Sequence, residues 1–266
     1  MKQQFRWVGK GGGPFLSSDL PSYSLKRGRS VLWISLAHTL HSVTALGALT
    51  HISIPVYSTI KRCVPVLNVL LGVLLLHKPW PRRGVLIAVA LITMGAMMIS
   101  YDGLSIDLYY TLFYLAAFAS VICHSIYLTL VEASAQAFSA LDLLYLNSYN
   151  GVFICIILDL IDDEIREAWI YVITISSARF WLYFATVLLG GILLQFSAFQ
   201  CTLVTSALTC SVVGVCKSAL QTGGGFLLSS LWLHDATVTM LGISGVFVNL
   251  LGSFLYTYVK YAERKL

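Results

Sequence analysis

Long apolar runs separated by short polar breaks dominate the chain. Most of the runs can cross a bilayer as a helix, since about 20 apolar residues span the hydrocarbon. Residues 1–30 are polar, with Gly11-Gly12-Gly13 and six Lys/Arg, and read as a loop or tail without the apolar core of a signal peptide. The pattern then predicts eight spans, over 31–53, 54–76, 84–100, 108–131, 141–161, 180–204, 207–233 and 237–259. A basic tail, 260–266, follows. The first span is the weakest, carrying His38, His41 and His51. The second contains Lys61-Arg62 and then Pro65. The break at 77–83 is basic and the break at 101–107 is acidic. The break at 162–179 is polar and amphipathic, and is entered through Asp159, Asp162, Asp163 and Glu164.

Within the seventh span stands one lysine, Lys217, ten residues after Ala207, with no Asp or Glu in the run. A charge at such a depth costs about 2.5–3.5 kcal/mol on insertion scales. Snorkelling suits a lysine near a helix end, and Lys217 lies too far inside for that reading to be preferred. Its expected partner is a water-filled cavity, a distant side chain or an anionic ligand. Lys61-Arg62 is the second case. His77 follows Lys61 by 16 residues and His234 follows Lys217 by 17, while Gly95 and Gly252 each follow those histidines by 18. Spans two and three thus resemble spans seven and eight. A repeat period of five spans is odd, so the halves must lie inverted in the membrane, with binding near the midplane between them. Residues 31–107 make an incomplete first repeat of three spans and 108–259 a second repeat of five. Two N-terminal helices are accordingly expected to be absent.

Composition agrees with this pattern. The 266 residues are 58% hydrophobic and 11% charged, against about 25% charged in soluble domains. The chain is therefore expected to be an all-α polytopic membrane protein. With eight spans, 12 of the 17 Lys/Arg fall on the side of both termini and only Arg166 and Arg179 on the other, the remaining three being Lys61, Arg62 and Lys217 (12 + 2 + 3 = 17). This bias places both termini in the cytosol. The net charge of +5 reports orientation here, and no nucleic-acid motif accompanies it. The six Cys form no CxxC and read as free thiols. The six His have no metal-ligand spacing. There is no intramembrane Asp pair and no Ser/His/Asp order, so the chain is not expected to be an enzyme, and no cofactor or metal is expected.

Basic residues at two repeat-related positions suit an anionic solute. Ser211, Gly214, Lys217 and Ser218 recur at helical spacing on one face, where the glycine admits either a ligand or a neighbouring helix. On the fifth span Tyr145, Asn147 and Ser148 offer amide, phenol and hydroxyl groups to a base edge or a sugar, although an interfacial aromatic belt also accounts for the tyrosines.

The order Ile54-Pro55-Val56-Tyr57-Ser58-Thr59-Ile60-Lys61-Arg62, Leu144-Tyr145-Leu146-Asn147 and Val213-Gly214-Val215-Cys216-Lys217-Ser218 resembles the nucleotide-sugar transporters of the drug/metabolite transporter superfamily. The branch is the one related to triose-phosphate translocators, and the nearest likeness is to carriers of UDP-glucuronic acid and UDP-N-acetylhexosamines. The resemblance implies a fold of ten helices in two inverted five-helix repeats. It also implies exchange of a cytosolic nucleotide sugar for a lumenal nucleoside monophosphate across the Golgi or ER membrane. Tyr145, Asn147 and Ser148 would stand where GDP-mannose carriers have FYNN, and Gly214 to Ser218 where they have GALNK. Here the lysine comes one residue earlier and the Asn is absent, which points to a UDP-sugar with UMP as its counter-substrate. Lys61, Arg62, Tyr145, Asn147, Ser148, Ser211, Gly214, Lys217 and Ser218 are the candidate binding residues. A homodimer is the candidate assembly. A phosphorylated-metabolite translocator and a non-transporting adaptor or truncated isoform are the alternatives.

Both termini should face one side and the 162–179 segment the other. A glycosylation tag at Thr174 should be modified and one after Leu266 should not; the reverse outcome overturns the orientation.

Overall fold

The computed structural model describes residues 23–52, 54–100, 108–162, 164–175, 177–228 and 239–265. They form ten helices: α1 (Leu25–Leu49), α2 (Ile54–Lys61), α3 (Val64–Leu74), α4 (Arg83–Ser100), α5 (Leu108–Ala133), α6 (Ala140–Asp162), α7 (Glu164–Ile175), α8 (Ala178–Val204), α9 (Ala207–Leu228) and α10 (Met240–Lys265). No strand occurs among the described residues. Six helical stretches are long and apolar enough to cross a membrane, counting Val56–Leu74 as one, and the apolar helices Arg83–Ile99 and Ala207–Gln221 are shorter. Together these match the eight expected spans. The chain is an all-helical polytopic membrane protein.

Several boundaries move, each for a local reason. Helix α1 begins inside the polar N-terminal segment because Ser24 caps it, accepting from Arg27 N. Helix α10 continues through the basic tail, where Lys260 and Glu263 pair three residues apart. The 162–179 break contains α7, whose start is fixed by Asp159 Oδ1 accepting from Ile165 N at 2.7 Å. The acidic break at 101–107, His234 and the end of the seventh span lie outside the described residues.

The second span breaks in two. Pro65 stands in the first turn of α3, where its missing N–H is not needed. Just before it the chain tightens, with Arg62 N donating to Thr59 O at 2.9 Å and Cys63 N to Ile60 O at 3.0 Å. These three-residue bonds end α2 at Lys61.

Helices α4 and α10 pack antiparallel at backbone contact. A Cβ on Gly95 would lie 2.6 Å from Asn249 N and Gly245 O, and one on Gly252 would lie 2.9 Å from Ile92 N and 3.0 Å from Ala88 O. Adding 157 to Gly95, Ile92 and Ala88 gives Gly252, Asn249 and Gly245. The same contact is therefore made twice, by residues one repeat apart. The operation relating the two is a local two-fold across the helices, which inverted halves require. Asn249 Nδ2 donates to Ile92 O at 2.9 Å close to that axis.

The core runs between α1, α3, α5, α6 and the start of α9, around Val31, Leu143, Leu146 and Phe199. Asn150 ties α6 to α1 there, donating to Gly28 O at 2.9 Å and accepting from Tyr23 Oη at 3.2 Å. Helix α1 packs chiefly against α5 and α6. Its counterpart in the repeat, α8, is exposed along most of its length, and its all-round apolar surface suits hydrocarbon.

Gly95→Ala should lower the thermal midpoint of detergent-solubilised protein, overpacking typically costing about 1–3 kcal/mol. Gly214→Ala should not, because a Cβ there meets nothing within 4 Å.

Candidate functional site

The break between α2 and α3 brings the two intramembrane basic groups of the repeat together. Lys61 ends α2 and keeps its side chain reachable by solvent although protein surrounds it on most sides. Lys217, in the middle of α9, is likewise exposed and lies close enough to Lys61 to interact with it electrostatically. Among the described residues no carboxylate lies within ion-pair distance of either lysine. Gly214 sits nearly one turn before Lys217, exposed and with open space where a Cβ would be. Of the two readings of this glycine, close helix packing is not what the described residues show.

Arg62 points elsewhere. It is 1% exposed, and its Nη2 donates to Ser218 Oγ at 3.3 Å and to Ser218 O at 3.4 Å. It clamps the break in α2–α3 against α9. Six residues on, Asn68 Nδ2 donates to Ala207 O at 3.1 Å, so the two helices cross antiparallel. The repeat spacing of 157 maps Lys61 onto Ser218. The Arg62–Ser218 contact thus lies beside the local two-fold, and the structure gathers Lys61, Arg62, Lys217 and Ser218 around one point. Ser211 is buried and donates to Leu208 O at 2.8 Å.

The residues singled out on α6 form a separate group. Tyr145 packs 4.8 Å from Tyr149, which stacks 5.1 Å from Tyr23. Ser148 Oγ is turned back to Leu144 O at 2.8 Å. Asn147 is 6% exposed, with Oδ1 buried and without a hydrogen-bond partner among the described residues. No described hydrogen bond or ion pair joins this group to the lysines.

Sequence reasoning passed over a polar belt at the same depth. His41 Nδ1 donates to Ser120 O at 3.0 Å and lies 2.8 Å from Ser120 Oγ, which also bonds Tyr57 Oη at 3.0 Å. The His124 ring packs 4.4 Å from His41, and His38 packs 4.9 Å from Tyr127. Gln195 on α8 donates to Tyr127 Oη at 2.6 Å. The available signal was the three-residue spacing of His38 and His41, which puts both on one face of a span.

At the basic end of the bundle, a cavity of about 990 Å³ opens between α3, the 77–83 turn, Glu132 and α10. Glu132 pairs with Lys78 and accepts from Ala207 N at 3.2 Å, and Glu263 pairs with Lys260 at 2.9 Å and Arg82 at 3.8 Å. Ion pairs thus surround this mouth, whereas the interior lysines have none among the described residues.

Residues 16–257 match the Triose-phosphate Transporter family. The chain is 32% identical over 240 residues to UDP-galactose/UDP-glucose transporter 7 of Arabidopsis thaliana, covering 89% of this chain and 72% of that protein. It is 25% identical over 259 residues to UDP-sugar transporter sqv-7 of Caenorhabditis elegans, covering 94% and 73%. A crystal structure matches with TM-score 0.63 at 14% identity, over 87% of this chain and 76% of that one, a likeness of fold.

Arg62→Ala should lower the thermal midpoint by the loss of charge-assisted bonds worth about 1.5–3 kcal/mol, while Lys61→Ala should not. Thermal unfolding in detergent measures both.

Proposed function

We propose that this chain, which belongs to the Triose-phosphate Transporter family, carries a UDP-sugar across an internal membrane in exchange for UMP. The observation that carries the reading is the approach of Lys61 to Lys217 without a carboxylate. Two like charges held close together within a membrane-spanning bundle repel. An anion between them removes that penalty. The broken second span supports the same reading, because helix breaks at the midplane leave backbone groups for a solute.

A diphosphate diester carries roughly two negative charges at neutral pH, and a monophosphate roughly 1.5 to two. One lysine pair therefore serves both exchange partners. An empty site would leave the two lysines repelling while the carrier reorients, which gives exchange a physical basis. Arg62 holds Lys61 in place through the Ser218 clamp, and Gly214 keeps the approach clear. The α6 group supplies a ring stack and amides suited to a base, with Tyr145 and Asn147 as its readers and Ser148 beside them; Ser211 stands behind Gly214 on α9. The motifs resemble those of UDP-glucuronic acid and UDP-N-acetylhexosamine carriers, while the Arabidopsis relative bears the name of UDP-galactose and UDP-glucose. The uridine diphosphate part is common to both. A Golgi or ER membrane, with both termini cytosolic, is the assigned setting.

UMP binding to detergent-solubilised protein tests this. Lys61→Ala and Lys217→Ala should each lose a contact worth about 1.5–3 kcal/mol, or roughly ten- to a hundredfold in affinity. UMP should bind more tightly than GMP. Parent-like UMP binding by both variants would remove the anion site. Competition by a sugar phosphate as strong as that by UMP would make the chain a phosphorylated-metabolite translocator instead.

A further inference from the structure

The cavity at the basic end is separate from the lysine site. Lys61, Arg62, Lys217 and Ser218 do not line it. Thr209, which does, precedes Lys217 by eight residues on α9, or about 12 Å along the axis at about 1.5 Å per residue. The volume of about 990 Å³ is at the upper end of the range for small-ligand sites. Three cations line the cavity, Lys78, Arg82 and Lys260, against two carboxylates, Glu132 and Glu263. The cation side chains are 43%, 64% and 42% exposed and the carboxylates 16% and 21%. An entering solute therefore meets positive charge first.

Arg82 is the least committed of the three. Its one ion pair among the described residues, Nε to Glu263 Oε1, is 3.8 Å long, too long for a hydrogen bond. Glu263 is already held by Lys260 at 2.9 Å. The guanidinium fork, which matches phosphate oxygens two at a time, is thus unspent on described residues. The same cavity is lined by a buried acceptor. Asn68 is 3% exposed. Its Nδ2 donates to Ala207 O at 3.1 Å, and its Oδ1 has no hydrogen-bond partner among the described residues. Most buried polar atoms are satisfied, so Oδ1 has capacity for a donor carried by a molecule in the cavity.

We propose that this cavity is a second binding site, for a phosphate ester. The Arg82 fork and the ammonium groups of Lys78 and Lys260 hold the phosphate oxygens, and Asn68 Oδ1 accepts from a hydroxyl of the esterified group. A phosphate monoester carries roughly 1.5 to two negative charges at neutral pH and presents strong acceptors, which suits a donor-rich rim. It competes with Glu132 and Glu263 for their cations. Glu132 keeps a partner when Lys78 turns to the phosphate, because its Oε2 also accepts from Ala207 N at 3.2 Å, at a helix start where negative charge is favoured. The ester comes from a soluble nucleotide or from the headgroup of a phosphorylated membrane lipid, since basic pockets between membrane helices also suit lipid phosphates. Ribose and inositol both bring the hydroxyl that Asn68 accepts. The site does not depend on the lysine pair.

The test uses the detergent-solubilised full chain carrying Lys61→Ala and Lys217→Ala together, so that the lysine site does not contribute. Binding of UMP and of a water-soluble, short-chain phosphatidylinositol phosphate is measured on this double variant, alone and with Arg82→Ala or Glu263→Gln added. The ligand-free thermal midpoint is the control on folding, and Lys260→Ala takes the place of Arg82→Ala should that chain fail to fold. At least one ligand should bind the double variant, more weakly as salt rises. Arg82→Ala should weaken that binding by roughly five- to thirtyfold. Glu263→Gln, which removes a competing carboxylate, should tighten it. Binding of UMP alone makes the source a soluble nucleotide, binding of the lipid alone makes it a headgroup, and either supports the site. No binding of either ligand overturns it, as does binding that Arg82→Ala leaves within about twofold or that Glu263→Gln weakens. The lysine reading fails separately: UMP binding that is equal in the parent and the double variant removes the lysine site, and the Arg82 variant still decides this one.

Discussion

Two lysines held near each other within a membrane-spanning bundle are the constraint on which this molecule turns. Neither Lys61 nor Lys217 has a carboxylate within ion-pair distance among the described residues, and the two interact electrostatically. A fold under selection for stability alone would replace one of them with an apolar residue, since the insertion cost of a midplane charge is about 2.5–3.5 kcal/mol. Their retention makes sense when the unfavourable field is cancelled by a solute. The contrast with the basic end is instructive. There Lys78, Arg82 and Lys260 each have a glutamate, so carboxylates are placed where charge is to be neutralised internally and withheld where it is not.

Holding the lysines together requires a frame, and the frame is built from close backbone contacts. Gly95 and Gly252 let α4 and α10 touch at the main chain, and with little hydrophobic drive between helices in lipid such small-residue contacts set the geometry. The contact is repeated about a local two-fold, and that same relation brings the break in α2–α3 onto the middle of α9. Arg62 then fixes the crossing through Ser218. A buried clamp and an exposed charge thus stand at adjacent positions, Arg62 and Lys61, pointing different ways because the helix ends between them. The Ser120–His41–Tyr57 knot joins α5, α1 and α2.

Length and polarity of the apolar runs determined the helical class, the number of spans and the positions of most breaks, because lipid forbids unsatisfied backbone and leaves helices as the local solution. The separation of Gly95 from Gly252 reappears as a doubled contact between α4 and α10. The intramembrane charges at Lys61, Arg62 and Lys217 were legible for the same reason, since a charge in such a run is a large energetic exception. Local chemistry that overrides hydropathy was less visible. Ser24 capping α1, Asp159 capping α7, and Pro65 splitting a continuous apolar run each depend on one side chain's geometry. What the sequence could not apportion was the use of each polar group. Arg62 and Lys61 are neighbours in the chain, yet one is buried as a clamp and the other is exposed. Asn147 and Asn150 share one helix, yet only Asn150 is committed to the α1–α6 contact. His38 and His41 lie in one span and His124 in another, and the His41 and His124 rings meet only after α1 and α5 pack. Hydrophobic pattern is a property of a segment and is read along the chain, whereas the fate of a polar group depends on which distant donor or acceptor the packed helices bring within about 3 Å, and only the tertiary structure decides that.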